Sequence, residues 1–455
     1  MKKNLIMSIY FSFKKFRRRR VNTVKKTFPL KSSNVFFGWW VVLACTIIHV
    51  LGAGIFFYGF SVFFTPMVIE FAWSSAVVSG AFALSRLEGG IEGPVIGHLV
   101  DRFGSKKLLI VGLAVTGVFF MLMPWVNNVW KMYLIYGLIS IGYNTGYTHA
   151  LVSTIANWFI TKRSRALMVY TLGAGLGGSI IVPVLSRLIT NYGWRTTSII
   201  SGISLMVIGF PLAKLITHRP EDRGLLPDGL PLNSNTEIIK DDKIEIHSDK
   251  IDDLESNFTR DEAIRTRSFW IYLISMLCRS FLLSSIVVHE IPHLVNIGIP
   301  METAGDILGL MVFLSIPGRI AFGWAGDYLS QRYLIALACL MQCIGIFFLS
   351  NAQSIEYVYL FVLIYGIGYG GAIPLTTGYI GELFGRKHFA SIRGLTSPVG
   401  MIGGIAGPIF AGYVFDVSKS YKFALDIFAI IALLSGITIL FSKKPTKPPL
   451  KNATI

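Results

Sequence analysis

The chain has 455 residues, 53% of them hydrophobic and only 15% charged, with a mean hydropathy of +0.60 and a formal net charge of +17. Soluble domains carry about 25% charged residues, so these values exclude a chain solvated mainly by water. They point to an all-α protein embedded in a membrane.

Residues 1–37 hold eleven Lys or Arg and no acid, including the run Arg17-Arg18-Arg19-Arg20. Beside an apolar span, such a tail reads as a cytosolic segment facing anionic lipid, ahead of a nucleic-acid-binding arm. The apolar stretch 4–13 precedes the arginines and has no small-residue cleavage site, which separates it from a signal peptide. Runs of about twenty apolar residues then recur, each enough to cross roughly 30 Å of hydrocarbon. They predict twelve spans, near 38–63, 75–99, 107–126, 131–157, 166–188, 195–216, 268–292, 303–326, 333–351, 357–381, 393–415 and 423–441. Residues 38–216 form the first set of six and 268–441 the second. Between them 217–267 is a polar linker rich in Asp and Lys, expected to be largely unstructured apart from short helices. Residues 442–455 form a second basic tail.

Basic residues check the count. "DRFGSKK" (101–107), "TKRSR" (161–165), "SQR" (330–332), "GRKH" (385–388) and "SKKPTK" (442–447) fall in alternate loops. The intervening loops, such as "TPMVIEFAW" (65–73), "NIGIPMETAGD" (296–306) and "SNAQSIEY" (350–357), have almost none. The alternation puts both termini in the cytoplasm of a multi-pass protein of the cell membrane. Cys45, Cys278, Cys339 and Cys343 all sit in apolar runs, so they read as core residues with no disulfide or metal framework.

The halves repeat. "GHLVD" (97–101) returns as "GWAGD" (323–327), 226 residues later, and the "IGY" ending at Tyr143 returns at Tyr369 with the same offset. Pro183 and Pro408 match at 225. Two pseudo-symmetric six-helix bundles are a transporter architecture, with substrate held between them near the midplane.

At these motifs the chain resembles the major facilitator superfamily. "GHLVDRFGSKK" (97–107) is similar to that family's loop between helices 2 and 3, with Gly97, Asp101, Arg102, Gly104 and Lys106 in place and Asp327 in the degenerate second copy. Gly97 permits close helix contact, and Asp101 with the cations can pair across the cytosolic seam to hold one gate state. "GWWVV" (38–42), "NWFITKRSRALMVYTLGAGLGG" (157–178) and "PGRIAFGWAGD" (317–327) resemble the monocarboxylate and oxalate–formate transporter group. The resemblance implies that helices 1, 4, 7 and 10 line the path, that 2, 5, 8 and 11 flank it, and that 3, 6, 9 and 12 face lipid.

Charges at a membrane's centre cost about 2.5–3.5 kcal/mol each on insertion scales, so each needs a partner or a task. The resemblance makes Arg319 in helix 8 the substrate-carboxylate anchor, a role that a guanidinium's two parallel donors suit; a structural ion pair is the alternative. This chain departs from the group at Ser315, where relatives carry an acid, at Tyr58, where they carry a lysine, and at Gly400, where oxalate transporters carry a second cation. A single carboxylate is therefore expected. Glu88 and Glu92 are i,i+4 on helix 2 beside Arg86. They are candidates for proton coupling or, equally, for an internal charge cluster. Arg279 in helix 7 is a second anion-binding cation or a neutralising partner for those glutamates. Tyr143, Asn144 and Tyr369 are candidate substrate hydrogen-bonders, with packing the alternative for the tyrosines. His289, Glu290 and His293 are expected near the outer mouth, solvated, with a proton relay the alternative, and His49 and His149 are expected to be core histidines.

The leading expectation is a secondary active transporter for a small monocarboxylate, working by alternating access as a proton symporter and as a monomer. An organic-anion exchanger of the oxalate–formate type is the alternative, with an efflux carrier behind it. No nucleotide loop, metal cluster or nucleophile–base set marks an enzyme, a cofactor or a nucleic-acid partner.

Overall fold

The computed structural model describes residues 36–160, 162–229, 258–326, 328–385 and 388–445; for 89–95, 97, 101, 164, 377, 389 and 390 it describes the backbone alone. Asp327 and the side chains of Glu92 and Asp101 thus lie outside the described residues, as do most of both tails and linker residues 230–257. The described structure is helical. α1 runs from Phe37 to Phe71, α2 is Ser75–Phe103, α3 Ser105–Leu122, and α4 covers 129–158. One long run, Arg163–Leu215, is broken by non-helical geometry at Gly193 into α5 (163–192) and α6 (194–215). The second half comprises α7 (Arg267–Asn296), α8 (Met301–Ala325), α9 (Gln331–Ser350), α10 (Ile355–Phe384), α11 (Phe389–Ser418) and α12 (Lys422–Leu440).

Nine described stretches are long and apolar enough to cross a membrane, the kinked α5–α6 run counting once. α2 falls outside this set because it carries Arg86, Glu88, Glu92, Asp101 and Arg102. α4 falls outside it because Lys131 and the polar run Asn144–His149 lower its hydropathy, and a wider π-type turn covers Asn144–Ala150. α1 has the same kind of turn over Ala53–Tyr58.

Local chemistry sets the helix ends. Ser74 caps α2 by accepting from Val77 N, Asn128 caps α4 through Lys131 N, and Thr266 caps α7 through Phe269 N. Gly104 (φ 81°, ψ 147°) is the only non-helical residue between α2 and α3, and Gly193 (φ 75°, ψ 162°) does the same between α5 and α6. A positive φ lets a single glycine reverse the chain. Here "DRFGSKK" proves almost entirely helical where a loop was expected. The stretch 65–71, also expected to be loop, continues α1 to a left-handed Ala72, because leaving the hydrocarbon does not itself end a helix. In the linker the chain makes short turns at Pro220–Arg223 and Pro227–Gly229 and a capped helix at Arg260–Ile264.

Successive helices run antiparallel. Lys106, starting α3, donates to the carbonyl of Lys214 near the end of α6, and Ser268, starting α7, donates to Lys443 just past α12. These contacts define a proximal end, where α1 begins and α12 finishes. At the distal end Glu70 of α1 takes Arg195 and the Trp194 indole of α6, and Lys422 of α12 donates to Asn351. The cysteines are free, with Cys45 and Cys339 buried.

The halves meet along matched seams. α8 packs on α5, α11 on α2, and α7 on the distal part of α1. Small residues bring backbones close: a Cβ on Gly309 would sit 2.8 Å from Pro183 Cγ, and one on Gly412 2.7 Å from Ala76 N.

Candidate functional site

The two π-type turns place the central side chains. A wider turn shifts the helix face, and the turn in α1 ends on Tyr58, whose hydroxyl lies 2.8 Å from the Tyr369 hydroxyl of α10 in the other half. Both rings are buried. Tyr143 packs between Phe56, tilted at 4.6 Å, and Tyr147, stacked at 5.4 Å between ring centroids. Asn144 opens the π-type turn of α4 and its Nδ2 is 3.4 Å from Ser140 Oγ. Tyr143, Tyr58 and Tyr369 are all within electrostatic reach of Arg86.

Arg86 lies over the rings of Phe57 and Phe82, at 4.7 and 5.0 Å, while its Nε and Nη2 are buried with no hydrogen-bond partner. Rings neutralise a cation weakly, so an anion remains the better partner for this fork. Glu88 faces Gly137 of α4, where a Cβ would come within 3.0 Å of its Oε1, and its Oε2 has no hydrogen-bond partner.

Arg319 sits in the α5–α8 seam. Its Nη1 donates to the carbonyl of Thr171 at 3.1 Å, and its Nε is buried without a partner. It lies beside Gly175 and within electrostatic reach of Tyr58 and His49. His49 stacks on Tyr170 at 4.2 Å with Nδ1 3.1 Å from the Tyr170 carbonyl, the satisfied core histidine expected. The structure thus brings Arg86, Tyr58, Tyr143, Tyr369 and Arg319 to the centre, around the junction of the halves.

Arg279 lies on α7 of the second half. It donates to the Ala372 carbonyl at 2.6 Å and lines a cavity of about 200 Å³ with Tyr272, Ser280, Thr376 and Arg393. Arg393 was not singled out in the sequence. It lies two turns, about 10 Å, proximal to Gly400 on the same face of α11, a spacing that would have found it. Of the gate motif, Lys106 closes the end of α6, and Arg102 lies over the Phe103 ring at 5.3 Å.

Sequence reasoning also missed the distal closure. Asp416 of α11 accepts the backbone N–H groups of Ser75 and Ala76 at 2.7 and 2.9 Å, capping α2 from the opposite half. Arg187 of α5 pairs with Asp306 of α8 at 2.8 Å. His289, Glu290 and His293 are buried here, 4%, 1% and 5% exposed, which corrects the expectation of a solvated mouth. The closed halves and α12 cover them.

The family model described as Major Facilitator Superfamily matches residues 43–408 and 269–454. Among similar proteins, the uncharacterized MFS-type transporter YcxA of Bacillus subtilis (strain 168) is 24% identical over 416 residues, covering 88% of this chain and 93% of that one. Monocarboxylate transporter 13 of Rattus norvegicus is 23% identical over 425 residues, 89% of each chain. Monocarboxylate transporter 12 of Homo sapiens is 23% identical over 449 residues, 93% of this chain and 82% of that one. Among solved structures, a bacterial homolog of the human lysosomal transporter Spinster superposes with a TM-score of 0.69 at 14% identity, covering 89% of this chain and 97% of that one. The nucleoside transporter NupG superposes with 0.68 at 12% identity, covering 89% and 99%.

Proposed function

The chain belongs to the major facilitator superfamily and is a multi-pass membrane transporter, and from that premise we propose that it carries a small monocarboxylate by alternating access, coupled to protons. The carrying observation is Arg319: a guanidinium in the seam between the halves, with one N–H on the Thr171 carbonyl and a buried Nε unspent. A carboxylate presents two oxygens to such a fork and displaces the weaker carbonyl, so substrate binding and loosening of the α5–α8 seam become one event. Tyr58 and Tyr369 supply hydroxyls beside it, and Asn144 and Tyr143 line the approach from α4. The names of the monocarboxylate transporter relatives support the substrate class.

Glu88 and Glu92 on α2 are assigned to proton coupling, with Arg86 as the neighbouring cation. Gly97, Asp101, Arg102, Gly104, Lys106 and Asp327 are assigned to the proximal gate. The twelve spans, the two six-helix halves 38–216 and 268–441, and a cell-membrane location with both termini cytoplasmic belong to the same reading, which makes the distal end the outer one. The cross-half bonds at Ser61, Ser75, Ala76, Ser79 and Arg187 then represent a closed outer gate.

One observation favours a second reading. Arg279 and Arg393 both lie within electrostatic reach of Tyr272 in the proximal cavity, which suits a second anionic group and hence an organic-anion exchanger. Proteoliposomes distinguish the two. Uptake of radiolabelled pyruvate driven by an inward proton gradient is expected, with oxalate competing poorly. Counterflow alone, indifferent to the gradient, would establish the exchanger, and neither flux for any carboxylate would remove the whole reading.

A further inference from the structure

α7 contains Pro292, which has no N–H to give to the carbonyl of Val288 four residues earlier. Ser61 of α1 supplies the missing donor, its Oγ 2.9 Å from Val288 O. The gap in one helix's ladder therefore joins the two halves. Beside that joint lies the buried group His289, Glu290 and His293. His289 is fully engaged: Nδ1 is 3.1 Å from the Tyr421 hydroxyl, and Nε2 is 2.9 Å from Pro408 O and 3.1 Å from Ser79 Oγ of the opposite half. Glu290 is not engaged. Neither of its carboxylate oxygens has a hydrogen-bond partner, and His293 Nδ1 also lacks one while its Nε2 lies 3.3 Å from Leu349 O. The three line a cavity of about 10 Å³ with Ser285 and Tyr421, the lower limit of room for one water.

We propose that Glu290 is a proton-binding site tied to the distal closure, protonated while the halves are joined there and ionised when they part. An ionised carboxylate buried without a partner costs several kcal/mol, whereas a neutral acid in the same place costs far less. Such a residue inside a membrane span needs a task. A cavity with room for about one water and a carboxylate with two unpartnered oxygens suit a proton. The groups facing the site are Tyr365 from α10, Tyr421 at the start of α12, and Asp416 of α11, which acts on His289 and Tyr421. None of these is a cation that could offset Glu290.

Parting the halves breaks Ser61–Val288 and Ser79–His289 and admits water to α7. The open form then tolerates the carboxylate and the closed form holds the proton. By linkage, raising pH favours opening and lowering it favours closure. His289 and His293, buried in the closed form, act with the opposite sign when they charge, so the alkaline limb of the response belongs to Glu290 and any acid limb to them. This inference rests on the alternating-access reading and adds its regulation.

The test places spin labels on cysteines substituted at Asn127 and Gln353, exposed distal positions in opposite halves, with the four native cysteines replaced. In the full chain in nanodiscs, the inter-label distance should lengthen from about pH 5 to about pH 9. Glu290→Gln should stay short throughout, and Glu290→Asp should restore the transition. Glu290→Gln following the parent profile, or a parent indifferent to pH, overturns the proposal. Alternating access itself falls only if the pair also stays fixed in Asp416→Asn. Should Glu290→Gln fail to fold, infrared difference spectroscopy across the same pH range decides the matter. A protonated-carboxyl band that is lost as the labels separate, and that shifts in Glu290→Asp, is expected; no such band, or one unmoved by Glu290→Asp, overturns the proposal equally.

Discussion

Replacing Asp416 by asparagine should open the distal end. Its carboxylate accepts two backbone N–H groups at the first turn of α2, at 2.7 and 2.9 Å, where the helix carries partial positive charge. Hydrogen bonds to a charged group contribute about 1.5–3 kcal/mol each when shielded. Asparagine keeps one carbonyl acceptor and turns an NH2 toward the other N–H, so one bond is lost and one donor is left bare. Because Asp416 is only half-buried, the lower figure applies, and about 1.5–2 kcal/mol corresponds to a ten- to thirty-fold rise in the open-to-closed ratio. The Arg187–Asp306 pair has side chains 50% and 47% exposed, so breaking it should shift the ratio by less than about 1 kcal/mol. Distances between labels at Asn127 and Gln353 read the populations directly. A larger opening in Arg187→Gln than in Asp416→Asn would refute the assignment of the cap as the principal latch.

Arg319→Lys keeps the charge but loses the fork; KM for pyruvate should rise about thirty-fold or more in proteoliposome uptake, the equivalent of about 2–5 kcal/mol of binding, while folding is retained. Glu88→Gln or Glu92→Gln should abolish uphill, proton-driven uptake and spare counterflow; accumulation by both variants would leave α2 without a coupling role. Gly309→Leu should hold the distal end apart, because even its Cβ would meet Pro183 at 2.8 Å and Ser179 O at 3.1 Å, and a shortened inter-label distance would contradict that packing.

The helical, membrane-spanning character of the chain was legible because hydropathy is a property of local sequence. Arg319, Arg86 and Glu88 stood out because a charge inside an apolar run is conspicuous. Asp416 was invisible: it ends a helix as an ordinary aspartate, and its partners are backbone groups 340 and 341 residues away. Burial of Glu290 was equally hidden. Near a helix end it reads as solvated, and only the packing of α12 and of the opposite half removes the water. Arg279 was legible as a cation, an anion binder or a partner for the helix-2 glutamates, but its bond to the Ala372 carbonyl comes from packing that charge alone does not reveal.

The single-residue joints at Gly104 and Gly193 have a mechanical consequence. With no slack between α2 and α3, or between α5 and α6, neither seam helix can tilt without carrying its outer neighbour along. Those neighbours expose Ile110, Val111 and Val118 on α3, and Ile203, Val207 and Ile208 on α6, an apolar outline that acyl chains must follow. In the proposed rocking of the halves, each cycle would reshape the annulus of lipid around the protein, and bilayer thickness and stiffness would act as a load on turnover. The same carrier should run at different rates in membranes of different chain length, with its binding residues untouched.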